Sequence, residues 1–379
     1  MFEFNKTERE EYMRRSWFSK GRFGIVGLLM GLALVLSACG SSGDSDSGDE
    51  TASGGSSQET QDVKFMLEWA PNASQVWAIA GKEQGYFEKN GIDPEFLFPD
   101  DSTSPTKVLL AGKADFALQL STAPAIARGE GEDVKVVGTV EALDVGIMVP
   151  KDEISTVQEL NGATLGVGAS TYNETCAVRL LEKHGLSEDD VKFVDPAFNL
   201  VAPMLAGKVQ GVNGSQYEQA IALSKEGLET KVFSYSDNGC PIDPIQVVAT
   251  TEMVEDNPEL VKSLLKGIGE SLQYAMDNPE EATEIFGDAY PELDPKSDLA
   301  QWQASVPTFC TAQSEAKGLL YSDPKEYEGL IELSQEAGAI DEVYPVDELV
   351  DNSLLPDPPI TQPCANDRYK VDPMSQITE

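Results

Sequence analysis

Histidine is almost missing from this chain: His184 is the only one in 379 residues. A lone imidazole with no neighbouring nucleophile cannot serve the Ser–His or Cys–His pairs of hydrolases. No G-x-S-x-G elbow occurs, and no C-x-x-C or His/Cys grouping has metal-ligand spacing, so neither an enzyme nor a metal or cofactor is expected. His184 sits in LLEKHGL just before Gly185, where a helix end is expected and its role is to meet the terminal carbonyls. Basic residues are scarce as well, 27 Lys and Arg against 65 Asp and Glu, for a formal charge of −38. Nucleic acid needs a basic surface and is excluded as a partner. An imbalance of this size fits solubility or adaptation to salt, and screening within about 8 Å leaves it a weak bias against anionic ligands. Long apolar runs are also lacking: FGIVGLLMGLALVL, residues 23–36, falls short of the ~20 residues of a membrane-spanning helix.

That run follows Arg14, Arg15, Lys20 and Arg22, so residues 1–38 read as an export signal. Leu36-Ser37-Ala38-Cys39 resembles the bacterial lipobox, which implies that Cys39 is acylated and becomes the first mature residue. Two acyl chains suffice for stable anchoring, each buried CH₂ contributing about 0.8 kcal/mol. The alternative is plain secretory cleavage beside an incidental cysteine. Arg14-Arg15 also fits a twin-arginine signal, but a basic leader accounts for it, and the general export route is the simpler reading. Residues 39–61, rich in Gly, Ser and acidic side chains, have too little to bury to offset ordering entropy. They are expected to be a disordered tether with an r.m.s. reach of roughly 25 Å. Removing residues 1–38 takes away six basic and four acidic side chains and leaves 21 basic against 61 acidic, a charge of −40.

The body, residues 62–379, is long for one core and suits two domains. Its four cysteines, Cys176, Cys240, Cys310 and Cys364, permit two disulfides in any of three pairings; Cys310 with Cys364 and Cys176 with Cys240 is the expected set. Strand-like runs VKFMLEW, PEFLFP, DFALQL and VKVVGTV alternate with helical stretches, which predicts βαβ units and a mostly parallel sheet. After VGIMVPK (145–151) the pattern restarts and closes with TKVFSYS (230–236); a wholly helical region is then expected from IQVVATTEMV (245–254). Residues 257–279 carry Leu260, Leu264, Ile268, Leu272 and Met276 in one stripe. The predicted class is α/β with two doubly wound sheets and a hinge. Lobe 1 is 62–150 plus 250–345, lobe 2 is 151–249, a C-terminal tail is 346–379, and crossings fall near 148–152 and 246–252. A cleft between such lobes is where small ligands bind.

LEWAPNASQVWAIAGKEQGYFEKNGID, LLAGKADFALQLSTA and TLGVGAS resemble solute-binding proteins of the thiamine-precursor and aliphatic-sulfonate group, over about Val63 to Val254. The resemblance implies a type II periplasmic-binding-protein-like fold in the extracytoplasmic receptor of an ABC importer. Its partners would be permease subunits, a small-molecule ligand and, through lipid, the outer face of the cell membrane; a monomer is expected. The EWAPN segment is similar to the branch that binds formylaminopyrimidine or hydroxymethylpyrimidine. That branch often has histidine where this chain has Gln75, which rules out the activity of yeast pyrimidine synthases that consume their own histidine. Riboflavin, aliphatic sulfonate, taurine and nitrate are alternative ligands. A surface-tethered enzyme and an adhesive lipoprotein are the readings outside this class.

Loops after strand C-termini face the crevice of open α/β sheets, which directs attention to particular residues. Trp69 can stack on a flat heterocycle or pack under the next helix. Asn72 can pair with a ring edge or cap that helix. Gln119, Ser121 and Thr122 follow the third strand, with Thr122 equally a cap. Ser170 and Thr171, after Gly166 and Gly168, offer backbone N–H groups to an anion or polar substituent; Tyr172 is expected to close a sandwich against Trp69. The resemblance implies that Asn213, Tyr217 and Glu218 line the pocket, Tyr217 stacking and Glu218 accepting from an exocyclic amine; a solvated Glu218 is the alternative. Asp237 and Cys240 rank lower. The mature chain has only Arg128, Arg179 and Arg368, which favours a neutral or amine-bearing ring.

Overall fold

The computed structural model describes residues 60–100, 103–196, 199–215 and 217–364, all within one compact unit spanning 58–379. The expected export signal, the expected anchor at Cys39 and nearly all of the expected tether lie outside the described residues. Among the described residues no helix is long and apolar enough to cross a membrane.

Strand β1 (Gln61–Met66), helix α1 (Val76–Glu83), β2 (Ile92–Leu97), α2 (Pro105–Leu110), β3 (Phe116–Leu120), α3 (Ala123–Gly129) and β4 (Val134–Leu143) alternate as the pattern predicts. The chain then makes β5 (Val145–Pro150), β6 (Thr164–Gly166), α4 (Thr171–Lys183), β7 (Lys192–Val194), α5 (Val201–Leu205), β8 (Gly211–Ser215), α6 (Glu218–Lys225) and β9 (Thr230–Ser234). Strand β10 (Asp243–Thr250) leads into α7 (Thr251–Asp256), α8 (Pro258–Asp277), α9 (Pro279–Ala289), α10 (Pro295–Phe309), α11 (Ala312–Lys317) and α12 (Pro324–Glu336).

The strands form two five-stranded sheets, β2-β1-β3-β10-β4 and β7-β6-β8-β5-β9. This is the two-lobed α/β architecture expected, with three differences. The sheets are mixed, because β10 runs antiparallel to β3 and β4, and β5 antiparallel to β8 and β9. Strand β5 belongs to the second sheet, so the first crossing is at Asp144 and not near 148–152. Residues 243–250 are a strand of the first sheet, not the start of a helical region, and the return crossing spans 235–242 rather than 246–252.

Local sequence accounts for the helices that brace the sheets. Asn72 accepts from the Ser74 N–H and starts the turn into α1, and Gly91 at φ 77° ends the next turn in the left-handed conformation that glycine adopts without strain. Helix α8 starts at a proline that needs no N–H partner and buries Val261, Leu264, Leu265, Ile268 and Leu272 against lobe 1. Its Ser271 approaches so near that a Cβ on Gly81 would lie 2.0 Å from the Ser271 Oγ, which is why α1 carries glycine there. Helix α12 packs against α3 of lobe 1 and α4 of lobe 2. Its Tyr327, Leu330 and Ile331 share a core with Val136 and Ala125 on one side and Leu180 and Cys176 on the other.

The cysteines stand as two disulfides, Cys176–Cys240 and Cys310–Cys364. The described part of the stretch expected to be a tail, residues 346–364, is laid against the body. Val350 bridges Val136, Asn352 exchanges hydrogen bonds with the Ser322 backbone, and the Ile360 carbonyl accepts the Leu319 N–H.

Candidate functional site: a carboxylate-lined cleft

Asp144 alone separates β4, an edge strand of the first sheet, from β5, an interior strand of the second, so the chain passes from one sheet to the other there. Register fixes which ends meet. Asp243 pairs with Leu143 and Ile245 with Leu120, which puts the start of antiparallel β10 beside the C-termini of β3 and β4. In the second sheet Val145 pairs with Ser215 and Gly146 with Ser234, putting the start of β5 beside the C-termini of β8 and β9. Strand C-termini of both lobes therefore border one junction, the position of ligand crevices in open α/β sheets.

Acidic side chains occupy it. From lobe 1, Glu68 follows β1, Glu141 is near the end of β4 and Asp243 opens β10, all three buried. Glu218, at the start of α6, comes from lobe 2 and repels Glu68 and Glu141 across the junction. Gln75 Nε2 donates to Glu68 Oε1 at 2.9 Å, Thr308 Oγ1 to Glu141 Oε1 at 2.6 Å, Ser121 Oγ to Asp243 Oδ1 at 2.5 Å, and Gln219 Nε2 to Glu218 Oε2 at 3.1 Å. Asp144 Oδ1 accepts from the hydroxyls of Ser234 and Ser236 at 2.7 and 2.9 Å.

Desolvation dominates the ionisation of this group. Burial pushes Glu68 up to about 7 against the opposing Gln75 hydrogen bond, with the Glu218 charge adding to the rise. Asp243 is likewise pushed up to about 7 by burial, against its bonds to Ser121. Burial takes Glu141 well above the usual carboxylate range, with Glu218, Glu68 and Asp243 adding repulsion. Glu218 keeps some accessible area, yet it is enclosed enough for desolvation to raise it. Tyr217 is raised by burial and by the charges of Asp144 and Glu141, so its ring belongs to the same cleft.

The residues singled out from sequence divide into three groups. Glu218 and Tyr217 stand in the cleft, and Trp69 stands at its lip, half-buried, its carbonyl accepting Gln75 Nε2 at 3.3 Å. Ser121 faces the cleft through Asp243, with its own φ of 60° in the left-handed region, a strained setting for a residue with a Cβ.

A second group is engaged elsewhere. Asn72 Oδ1 takes the Ser74 N–H at 2.8 Å and Nδ2 donates to the Ala70 carbonyl, so the side chain is a cap. Gln119 Oε1 accepts from the Thr106 N–H and from the Ser104 and Thr106 hydroxyls, tying β3 to the start of α2. Thr122 is buried at the entry of α3 and makes no cap bond. Asn213 Oδ1 accepts the Gly168 N–H at 2.7 Å. That bond, with the Ser170 N–H donating to the Gly168 carbonyl, uses two of the amides expected to seat a ligand. Ser170 caps α4 through the Asn173 N–H, and Thr171 is its first residue.

Tyr172 requires a correction. Tyr172 lies in the first turn of α4 on the face that packs into lobe 2; it is 1% exposed, edge-on to Tyr235, and donates its hydroxyl to the Pro241 carbonyl at 2.7 Å. It cannot close a sandwich over Trp69. Asp237 is exposed and Cys240 is taken up in its disulfide. The His184 ring bonds Asn238 Oδ1 at 3.0 Å and not the helix carbonyls.

Glu141, Asp144 and Asp243 escaped the sequence reading. A signal was available: each lies in an otherwise apolar stretch, EALDVGIMV or IDPIQVV, where a buried carboxylate is costly without a purpose.

Sequence comparison gives 26% identity over 268 residues to the formylaminopyrimidine-binding protein of Halalkalibacterium halodurans, covering 70% of this chain and 78% of that protein. The 4-amino-5-hydroxymethyl-2-methylpyrimidine phosphate synthase THI5 of Saccharomyces cerevisiae is 22% identical over 267 residues, covering 67% of this chain and 78% of the yeast protein. The fold is similar to that of the periplasmic nitrate-binding protein NrtA from Synechocystis PCC 6803, with a TM-score of 0.62 at 13% identity over 78% of this chain and 87% of that one. The NMT1/THI5-like family model matches residues 72–282, a span that takes in the start of α1, both crossings and four of the five cleft carboxylates. By that match, over more than half its length, this chain belongs to the NMT1/THI5-like family.

Proposed function

We propose that this chain is the solute receptor of an ABC importer, closing its two lobes over a planar, amine-bearing heterocycle, with a thiamine pyrimidine precursor as the ligand favoured. The observation that carries the reading is the placement of Glu218 of lobe 2 opposite Glu68 and Glu141 of lobe 1, with half-buried Trp69 the residue directly after Glu68. Carboxylates accept hydrogen bonds in pairs from an exocyclic amine and a protonated ring nitrogen, and an indole offers a flat apolar face. The relative named for formylaminopyrimidine binding supports the choice. Lipid anchoring through Cys39, a monomeric state and an extracytoplasmic location belong to the same proposal.

Riboflavin, sulfonate, taurine and nitrate are the alternatives. The anions among them are disfavoured because the hydrogen-bond donors described on the cleft carboxylates are neutral side chains, with no Lys or Arg to meet a second anion. The synthase activity in the yeast relative's name is not carried over, since Gln75 stands where the resemblance leads one to expect the consumed histidine. Mass spectrometry of the small molecule that copurifies with the protein, followed by thermal-shift titration of that compound, tests the proposal. A ligand at 100 times its Kd adds about 2.7 kcal/mol of stability. A panel of pyrimidines, flavins, sulfonates and nitrate that leaves Tm unmoved refutes it.

A further inference from the structure

Elsewhere in the described chain some acids are matched with cations: Lys82 with Asp93, Lys89 with Glu270, Arg128 with Glu348, Arg179 with Glu336 and Lys225 with Asp294. The cleft gathers five carboxylates that share none of these pairings. Among the described residues, Glu68, Glu141, Asp144, Glu218 and Asp243 form no ion pair, and their side-chain donors are Gln75, Thr308, Ser234, Ser236, Gln219 and Ser121. In a chain with few cations this could be mere shortage, but a second feature points to a ligand. Glu68 Oε2 and Gln75 Oε1 are buried with no hydrogen-bond partner, in side chains only 5% and 1% exposed. Since Gln75 Nε2 holds Glu68 Oε1, the two orphaned oxygens belong to one bonded pair at the base of the cleft. Orphaned buried acceptors are costly and rare unless something fills them.

Acceptors call for donors, and uncompensated carboxylates call for positive charge. We propose that the cleft takes its ligand as an organic cation, an amidinium-type or aminopyrimidinium ring whose N–H groups meet Glu68 Oε2, Gln75 Oε1 and Glu218, and that capture expels protons held by the cleft acids. This rests on the reading of the cleft as a solute site and specifies the charge of its occupant. No three His, Cys, Asp or Glu side chains among the described residues converge as metal ligands do, so the arrangement suits a charge spread over a ring. A sulfonate or nitrate brings only acceptors and negative charge to the same lining, and the ionised carboxylates repel it.

The titratable groups facing one another here are the five carboxylates with Tyr217, Tyr172 and Tyr235; Glu326 faces Tyr172 from α12. Burial leaves Glu68 and Asp243 about half-protonated near neutrality, and burial with the neighbouring carboxylates raises Glu141 as well. A fixed positive charge favours their ionised forms, so protons leave as it binds. Affinity for a permanent cation then rises with pH, up to about tenfold per unit for each proton released, and levels off above the pKa values of the empty cleft. A titratable aminopyrimidine can instead pick up the proton that the cleft gives away, which cancels part of the dependence.

Isothermal titration of the full chain with 4-amino-1,2-dimethylpyrimidin-1-ium chloride, in phosphate and in Tris buffer, counts protons directly. The expected result is release of about one proton per ligand and affinity at least tenfold higher at pH ~7.5 than at pH ~5.5. Glu68→Gln, which keeps the shape of the side chain, should weaken this probe at least tenfold and reduce the proton count. The wild-type proton count stands whether or not the variant folds. Binding that is independent of pH with no proton exchange overturns the inference. So does tight binding of sodium methanesulfonate with the pyrimidinium excluded, which would leave a solute receptor of another specificity. Failure of every solute in the pyrimidine, flavin, sulfonate and nitrate panel removes the receptor reading itself, and this inference with it.

Discussion

Gln75 reaches back seven residues to donate its amide to Glu68, 2.9 Å away, and so joins the first helical turn of lobe 1 to the loop that leaves its first strand. A neutral donor leaves Glu68 without a counter-charge, and desolvation sets its ionisation.

Stability should therefore depend on pH in a specific direction. In the unfolded chain Glu68 and Asp243 titrate at ordinary carboxylate values, and in the folded chain at about 7. Between those values the folded state holds protons that the unfolded state has lost. Stability is then full below the unfolded value and falls as pH rises toward 7. The ligand-free Tm should drop from pH ~5 to pH ~8, and Glu68→Gln should recover of the order of 2 kcal/mol at the upper end. Calorimetry of both proteins across that range makes the comparison; a rising Tm contradicts it.

Removal of the indole tests the other side of the cleft. Trp69→Ala should weaken a planar ligand by at least about 1–2 kcal/mol, roughly tenfold or more in Kd. The half-buried position of Trp69 means Tm should change little by comparison. Unchanged affinity would remove stacking from the proposal.

Glu218→Gln separates ligand classes. An aminopyrimidine loses a charge-assisted acceptor and should weaken by about 1.5–3 kcal/mol, whereas a sulfonate should weaken less or tighten. Parallel titrations with one ligand of each kind decide it, and equal losses argue against direct contact by the carboxylate.

Tyr172→Phe should act on stability and not on binding. The hydroxyl bonds the Pro241 carbonyl inside lobe 2, so its loss costs about 1 kcal/mol. Ligand affinity, compared at a temperature where both proteins are folded, should be unchanged. A large loss of affinity with normal Tm would restore the stacking role expected from sequence.

Particular elements show where sequence reading succeeds and where it stops. The alternation through β4 was legible because each strand and helix declares its own period, and the buried stripe of α8 recurs every fourth residue. The run Ile245–Val248 was not read as a strand of the first sheet, because its partners Leu118 and Val136 lie more than a hundred positions away and the residues after it are helical. The boundary at Asp144 is a single residue between two apolar strands, so no loop composition marks it. Among the residues proposed for the site, Glu218 and Trp69 were legible because each follows a strand. Tyr172 was misplaced because its ring is held in the core by Tyr235 and Pro241, more than sixty positions away, which local pattern does not reveal. Glu141 and Asp243 sit within strands, and which way a strand residue faces is decided by a neighbour that local pattern does not reveal.

The placement of β10 between β3 and β4 also dictates an order of assembly. During synthesis the fourth strand of lobe 1 appears with no seat next to the third, and it must wait for the whole of residues 144–242 to emerge before the strand that joins them exists. Distant pairings of this kind slow folding and leave strand edges bare in the meantime. The extracytoplasmic location proposed above would be served by that delay, since the first lobe cannot close its sheet until most of the chain's length has been made.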